Sequence, residues 1–182
     1  IVMEPTVMSY GSLNIGLVPW ICAENHEHSM NFIRDCKADW IGAHLDLIGF
    51  EMMRGLKNNH GFDPKLFSRF EMVLSGHYHT KSQKDNILYL GTQMEFFWSD
   101  AHDPKHFHIL DTETRELEAI RNPFTLFEKI TYDDTKTDYN NYNVEHLDDK
   151  FVKLVVVNKS DPFTFDKLCD RIHSKKIHEL KI

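Results

Sequence analysis

The chain has 182 residues, a formal net charge of −7 and 41% hydrophobic residues. This composition excludes a disordered chain, and the length is enough for one real core. The acidic balance argues against a protein that coats nucleic acid through charge alone, yet it permits an enzyme that reaches phosphate through a bound cation. No apolar run approaches the roughly 20 residues of a membrane span, so no membrane partner is expected.

The first half of the chain alternates between the patterns of strands and helices. Buried strands are predicted at 13–22, 39–43 and 72–74, a helix at 25–37, and helix or loop pieces at 45–56 and 64–70. Asn25 is the predicted N-cap of the helix. This βαβαβ order favours an α/β fold whose strands are parallel or mixed and are covered by helices.

The second half of the chain predicts a hairpin and then a smaller terminal unit. Strands are predicted at 87–90, 107–110, 117–120, 151–157 and 177–182, and a helix at 165–174. The polar stretch 133–149 is interpreted as a long loop or linker. We therefore predict two domains, residues 1–125 and residues 126–182, of which the second is a small α+β unit.

Two histidines, His77 and His79, follow the predicted strand 72–74 at a spacing of two. In an extended backbone such residues point the same way, and Gly76 removes a side chain where a ligand would need room. His44 follows the strand 39–43, and the carboxyl ends of parallel strands lie at one edge of a sheet, so the spacing permits all three histidines to meet. Neutral imidazole suits zinc, manganese, iron or nickel. Taken alone, a His-x-His pair is more often a solvated strand edge or a hydrogen-bonded turn than a metal site.

Several stretches resemble one enzyme family. Ser75-Gly76-His77-Tyr78-His79 resembles the Gly-His-x-His signature of calcineurin-like metallophosphoesterases. Residues 16–20, 90–93, 96–99 and 105–111 resemble stretches of the double-strand-break-repair nucleases of the SbcD type. Because many phosphatases share the histidine signature, the flanking stretches favour the nucleases, and among them the nuclease subunits of T-even phage recombination complexes.

The resemblance implies the C-terminal half of a two-sheet metallophosphoesterase sandwich flanked by helices, followed by a small α+β cap domain. It implies a DNA exonuclease or endonuclease with two manganese ions, magnesium being the alternative ion. His44 and His77 would hold one ion and His79 the other. Both metals would activate a water and stabilise charge on the phosphodiester.

The same resemblance implies partners and a location. The partners are double-stranded DNA, an ABC-type ATPase subunit and a second copy of the nuclease in a homodimer. The implied role is DNA recombination, repair and degradation. The three cysteines form no motif and suit a reducing compartment, so a cytoplasmic location is expected, in the host cell if a phage encodes the chain.

The family's early motifs are missing from the part of the chain where they would belong. No Asp-x-His, Gly-Asp or Gly-Asn-His-Asp motif precedes His44. In the family these motifs supply a bridging aspartate, an asparagine ligand and the histidine that protonates the leaving group, so no catalytic residue is assigned here. Residues 24–27 (Glu-Asn-His-Glu) imitate the last motif, but they lack its glycine and begin the predicted helix. We therefore expect a fragment that lacks the N-terminal half of the site, binds metal weakly and hydrolyses little alone.

Lys81 and Lys84 follow the histidine motif directly and are candidates to contact substrate phosphates, although a solvated turn explains them equally well. Two other functions stay open: a metallophosphoesterase for small phosphate esters, and a partner-binding scaffold without activity. Cleavage of duplex DNA ends, but not of a small chromogenic phosphodiester, favours the nuclease. Partner binding that survives the loss of His77 and His79 favours the scaffold.

Overall fold

The computed structural model describes residues 1–53 and 55–182. The chain forms two compact units, the first made of Ile1–Met94 with Pro104–Asn122, the second of Glu95–Asp103 with Pro123–Ile182. Their sheets and helices confirm the predicted mixed α/β class. The division into functional domains at residues 125 and 126 stays a prediction.

A six-stranded sheet organises the first unit. Its strands are β1 (Thr6–Tyr10), β2 (Leu13–Val18), β3 (Trp40–Ala43), β6 (Met72–Ser75), β7 (Ser82–Lys84) and β8 (Ile87–Tyr89), in the order β1-β2-β3-β6-β8-β7. The four central strands β2, β3, β6 and β8 run parallel, as the alternating pattern predicted, while β1 and β7 close the two edges antiparallel. The predicted parallel crossovers are therefore confirmed.

The connections between the parallel strands contain further elements of this unit. They are the helix α1 (His26–Asp35), the small hairpin β4 (Glu51–Met53) and β5 (Leu56–Lys57), and a 3₁₀ turn at Pro64–Phe67. A separate hairpin pairs β9 (His106–Leu110) with β10 (Leu117–Arg121), as predicted. Ile33 of α1 packs with Ile41 and Val73 of the sheet in the main core, where burial of apolar surface stabilises the crossover.

The second unit is a three-stranded parallel sheet with one helix. It contains β11 (Phe127–Asp133), β12 (Phe151–Asn158), β13 (Glu179–Lys181) and α2 (Pro162–His173), with the strand order β11-β12-β13. Asp161 caps α2 by accepting a hydrogen bond from the Phe163 N–H at 3.0 Å. Leu168 and Ile172 of this helix are fully buried in the core of the unit.

Residues 133–149 form a long loop, as one of the two predicted alternatives has it, but they are not a linker. Tyr139, Val144 and Leu147 are buried in the core of the second unit, although their neighbours in sequence are polar. Arg171 of α2 also donates hydrogen bonds to the carbonyls of Tyr139 and Asn140. Because most residues of the loop are polar, the sequence pattern did not reveal these three widely spaced apolar residues, which pack in one core with the helix.

Two boundaries differ from prediction for local reasons. The strand predicted at 13–22 ends at Val18, and residues 19–22 have irregular structure before a turn at residues 23–25. Asn25 precedes α1 as predicted, but its side chain bonds the backbone before the helix instead of the helix itself: Oδ1 accepts from the Cys22 N–H at 2.8 Å, and Nδ2 donates to the Trp20 carbonyl at 2.9 Å.

Among the residues described, no helix is long and apolar enough to cross a membrane.

Candidate metal centre

Two neighbouring parallel strands deliver His44 and His77 to the same edge of the sheet. Ala43 of β3 lies opposite Ser75 of β6, and each strand ends there and leads into its histidine. Nε2 of His44 is 3.3 Å from Nδ1 of His77, and the two rings meet edge to face. The structure thus brings together two of the three histidines named from the sequence, by the strand arrangement predicted for them.

The loops after β3 and β6 are tied together directly beneath this histidine pair. The Ser75 side chain is buried; its Oγ accepts from the Leu45 N–H at 3.0 Å and donates to the Gly76 carbonyl at 3.1 Å. The Gly76 N–H donates to the Ala43 carbonyl at 3.1 Å. A Cβ atom on Gly76 would lie 2.9 Å from Nδ1 of His44, so the absent side chain leaves the space that the His44 ring fills.

The extended backbone from which His77 and His79 were predicted to point the same way is not present at His77. Strand β6 ends at Ser75, and His77 has a φ of +81°, in the left-handed region that side chains rarely adopt. Tyr78, between them, turns into the core and packs on Tyr89 with ring centroids 4.5 Å apart. The backbone therefore bends at the motif, and strand alternation does not decide where the two imidazoles point.

His79 is fixed through its backbone. Its carbonyl accepts hydrogen bonds from Nζ of Lys105 and from the Thr92 N–H, both at 3.0 Å. In residues 1–53 and 55–182, no group of three or more His, Cys, Asp or Glu side chains is arranged to hold a metal ion. The assignment of His79 to a second metal stays a prediction.

Asp46 is a site residue that the sequence reasoning missed. Its Oδ1 lies 3.7 Å from Nε2 of His77 and accepts hydrogen bonds from the Tyr78 hydroxyl at 2.7 Å and from Nδ2 of Asn58 at 2.5 Å. The signal in the sequence was its position two residues after His44. That signal is weak, because the contact depends on the loop around Asn58 folding back.

Burial shifts the pKa values of two side chains in this group, Tyr78 and His44. Burial, and then the hydrogen bond to Asp46, raises the pKa of Tyr78 to about 12, so the phenol remains a neutral donor. Burial, and then the neighbouring His77 ring, lowers the pKa of His44. A lowered pKa favours neutral imidazole at physiological pH, and neutral imidazole is the form that binds metal ions.

Trp20 covers the histidine pair on one side. Its ring centroid is 5.2 Å from that of His44 and 5.6 Å from that of His77, while 52% of the side chain stays exposed. The Asn25 side chain forms hydrogen bonds with the backbone of Trp20 and Cys22. Asn25 of the Glu-Asn-His-Glu stretch at residues 24–27 therefore has a structural role. The histidine of that stretch, His26, lies against the ring of Phe62.

The spacing of the His44 and His77 nitrogens fits a shared cation. Two ligand nitrogens at about 2.0–2.1 Å from one ion, at a tetrahedral angle, lie roughly 3.3 Å apart. The distance between Nε2 of His44 and Nδ1 of His77 is 3.3 Å. Neutral imidazole is also a ligand that transition metals such as zinc accept. The two imidazoles present therefore fit two ligand positions of one divalent cation.

Lys81 and Lys84 are both exposed. Lys81 precedes the edge strand β7, and Lys84 is its last residue. Lys81 is close enough to β9 for its charge to add to the burial that lowers the pKa of His108. No contact in the structure bears on DNA, so their role stays a prediction.

No family model matches the chain. Among curated proteins, the chain is 35% identical over 129 residues to "Exonuclease subunit 1" of Enterobacteria phage T4. The match covers 71% of this chain and 38% of that protein, so the aligned part spans about two fifths of the length of the relative. The resemblance to phage nuclease subunits is confirmed, and over most of its length the chain is a relative of this exonuclease subunit.

Proposed function

We propose that this chain contributes metal ligands to a DNA nuclease that hydrolyses phosphodiester bonds in recombination, repair and DNA degradation. The observation that carries the proposal is the 3.3 Å approach of Nε2 of His44 to Nδ1 of His77 at the carboxyl edge of a parallel sheet. That edge is where open α/β sheets bind their ligands. The name of the T4 relative, an exonuclease subunit, supports the choice of substrate.

In this proposal His44 and His77 hold one manganese ion, and His79 serves a second. When bound, such ions supply Lewis acidity, which activates a water and stabilises the charge that develops on the phosphodiester. The chain's own residues set the geometry: Ser75 fixes the two loops, Gly76 leaves room for His44, and the Trp20 ring lies against the pair on one side.

The partners belong to the proposal as well. Because the T4 relative is named as a subunit, we propose that this chain also works in a complex, with an ABC-type ATPase and as a homodimer. Double-stranded DNA is the substrate, in the cytoplasm of the host cell. Lys81 and Lys84 are exposed and are proposed to contact its phosphates.

The first experiment measures manganese binding by electron paramagnetic resonance, following the loss of the free Mn²⁺ signal as protein is added. The wild-type chain is expected to bind, and His44→Ala or His77→Ala to abolish or greatly weaken binding. His28→Ala is the matched control, because His28 is an exposed histidine of α1 and is not one of the proposed ligands. No binding by the wild type, or equal binding by His77→Ala, contradicts the proposal.

The second experiment separates the substrates. The complex that contains this chain is assayed with Mn²⁺ on duplex DNA with free ends and on a small chromogenic phosphodiester. The proposal predicts cleavage of the DNA, loss of that cleavage in His44→Ala, and little turnover of the small ester. Preferential turnover of the small ester would instead assign a general phosphoesterase, and unchanged DNA cleavage in His44→Ala would remove the metal centre from the reaction.

A further inference from the structure

We infer that Asp46 is a positioning residue for His77, holding its ring so that Nδ1 faces His44. This inference rests on the proposed cation site, because it explains how one ligand of that site is oriented. It adds a residue outside the histidine motif.

The two nitrogens of His77 face different partners. Nδ1 lies 3.3 Å from Nε2 of His44, whereas Nε2 lies 3.7 Å from Oδ1 of Asp46. An ionised carboxylate only accepts hydrogen bonds, so its negative charge favours the tautomer with the proton on Nε2. That tautomer leaves the lone pair on Nδ1, beside the nitrogen of His44 that would share the cation.

The same geometry separates Asp46 from the ligands. The nitrogens of an imidazole diverge from the ring, and Asp46 lies at Nε2, while the shared space lies at Nδ1. A carboxylate behind a metal-binding histidine is a recurrent arrangement, since it fixes the ring and raises the basicity of the ligand nitrogen. Asp46 therefore acts through His77.

Asp46 is itself held in place from two sides. The Tyr78 hydroxyl and Nδ2 of Asn58 both donate to Oδ1, the oxygen that faces His77. Asn58 is only 5% exposed, and its Oδ1 accepts from the His60 N–H at 3.0 Å, which fixes the amide in turn. A carboxylate bonded in this way has no freedom to swing away from the ring.

The backbone beside Asp46 is equally crowded. A Cβ atom on Gly61 would clash with the Asp46 carbonyl oxygen, and the Phe62 N–H donates to that oxygen at 2.8 Å. The loop at residues 58–62 thus packs closely on Asp46. It forms a continuous support that runs from Asn58 through Asp46 to the ring of His77.

The test begins with the tautomer of His77 in metal-free protein. Long-range ¹H–¹⁵N correlation spectra of the ¹⁵N-labelled chain, at mildly alkaline pH, report which ring nitrogen carries the proton. The wild type is expected to show the Nε2–H form predominating, Asp46→Ala to lose that preference, and Asp46→Asn to be intermediate. Asp35→Asn is the control, since Asp35 is exposed and pairs with Arg34.

Zinc, which is diamagnetic, is then titrated into the same variants. Loss of a carboxylate behind a histidine ligand costs about 10- to 100-fold in metal affinity, so Asp46→Ala is expected to weaken Zn²⁺ binding by that range. Asp46→Asn keeps the shape and an acceptor for Tyr78 and Asn58, which makes it the informative variant if Asp46→Ala does not fold. Melting temperatures are recorded for all variants.

The outcomes distinguish this inference from the proposed function. If the wild type binds no Zn²⁺ or Mn²⁺, the cation site fails, while the tautomer measurement still judges Asp46. If His77→Ala abolishes binding but both Asp46 variants keep the wild-type tautomer and affinity, the inference is overturned. A lower melting temperature with unchanged tautomer and affinity likewise overturns it, since Asp46 would then be a structural residue only.

Discussion

Replacing Gly76 with alanine should damage the cation site while leaving the fold almost unchanged. The new Cβ would stand 2.9 Å from Nδ1 of His44, and ordinary contact begins at 3.4 Å, so the ring must retreat by roughly 0.5–1 Å. His44 is exposed at the sheet edge and can move. The backbone of Gly76 has no positive φ, so alanine is not strained there.

The expected magnitudes follow from these two facts. Exchange of glycine for alanine at a compatible position stabilises by about 0.4–1 kcal/mol through the unfolded state, which offsets the cost of moving one side chain. Stability should thus change by less than about 1 kcal/mol. Metal–ligand distances tolerate only about ±0.2 Å, so a displacement of half an ångström should abolish or greatly weaken Mn²⁺ binding.

Thermal unfolding and Mn²⁺ titration by electron paramagnetic resonance measure the two effects on one sample. Gly42→Ala is the matched control, because its Cβ would meet Cδ2 of Leu17 at 3.0 Å, with no histidine nearby. That variant should lose some stability and keep its affinity for Mn²⁺. Wild-type Mn²⁺ affinity in Gly76→Ala would refute the claim that the position of the His44 ring controls the site.

Three further predictions concern Trp20, Asp133 and Leu147. Mn²⁺ should quench tryptophan fluorescence, and Trp20→Phe should remove most of that quenching, because the Trp20 ring lies 5.2 Å and 5.6 Å from the two histidine rings. Hydrogen bonds, above all from the Thr135 side chain, lower the pKa of Asp133 from 3.8 to about 2, so its stabilising effect should be complete above about pH 4 and lost as the pH falls through 2. Asp133→Asn should therefore melt below the wild type at neutral pH, with a difference that closes near pH 2; a constant difference would contradict this. Leu147→Ala should cost about 2–5 kcal/mol in chemical denaturation, because Leu147 is fully buried, whereas the exposed Asn141→Ala should change stability by less than about 0.5 kcal/mol.

The meeting of His44 and His77 could be predicted because it depends on regular structure. Each histidine follows a buried strand, the strands alternate with crossovers, and parallel strands place their carboxyl ends at one edge. These are properties of hydrophobic pattern and chain order, which a single sequence displays. The fold class followed from the same pattern.

The environment of His77 could not be predicted, because irregular backbone decides it. The positive φ of His77 and the inward turn of Tyr78 arise after the strand has ended, where period-two alternation no longer applies. The role of Asp46 depends on Asn58, which is twelve residues away and belongs to a loop with no periodic pattern. Such tertiary contacts leave no local trace in the sequence.

Burial explains the other differences. Strand β1 was missed because all of its residues are exposed, so its sequence lacks the alternation that marks a half-buried strand. The linker interpretation of residues 133–149 failed for the opposite reason. Tyr139 and Leu147 are buried, but the polar residues between them leave no hydrophobic periodicity in the sequence. In both stretches the pattern of composition and the pattern of burial disagree.

The central claim is that His44 and His77 share one divalent cation, and pulsed electron paramagnetic resonance of the Mn²⁺-loaded chain tests it most directly. Nitrogen couplings from directly bound imidazoles appear in such spectra, and ¹⁵N-histidine labelling identifies them. The account predicts couplings from two imidazoles in the wild type. In His44→Ala, which binds weakly and is loaded at a higher Mn²⁺ concentration, it predicts couplings from one fewer. A spectrum of fully hydrated Mn²⁺, without histidine nitrogen couplings, would contradict it.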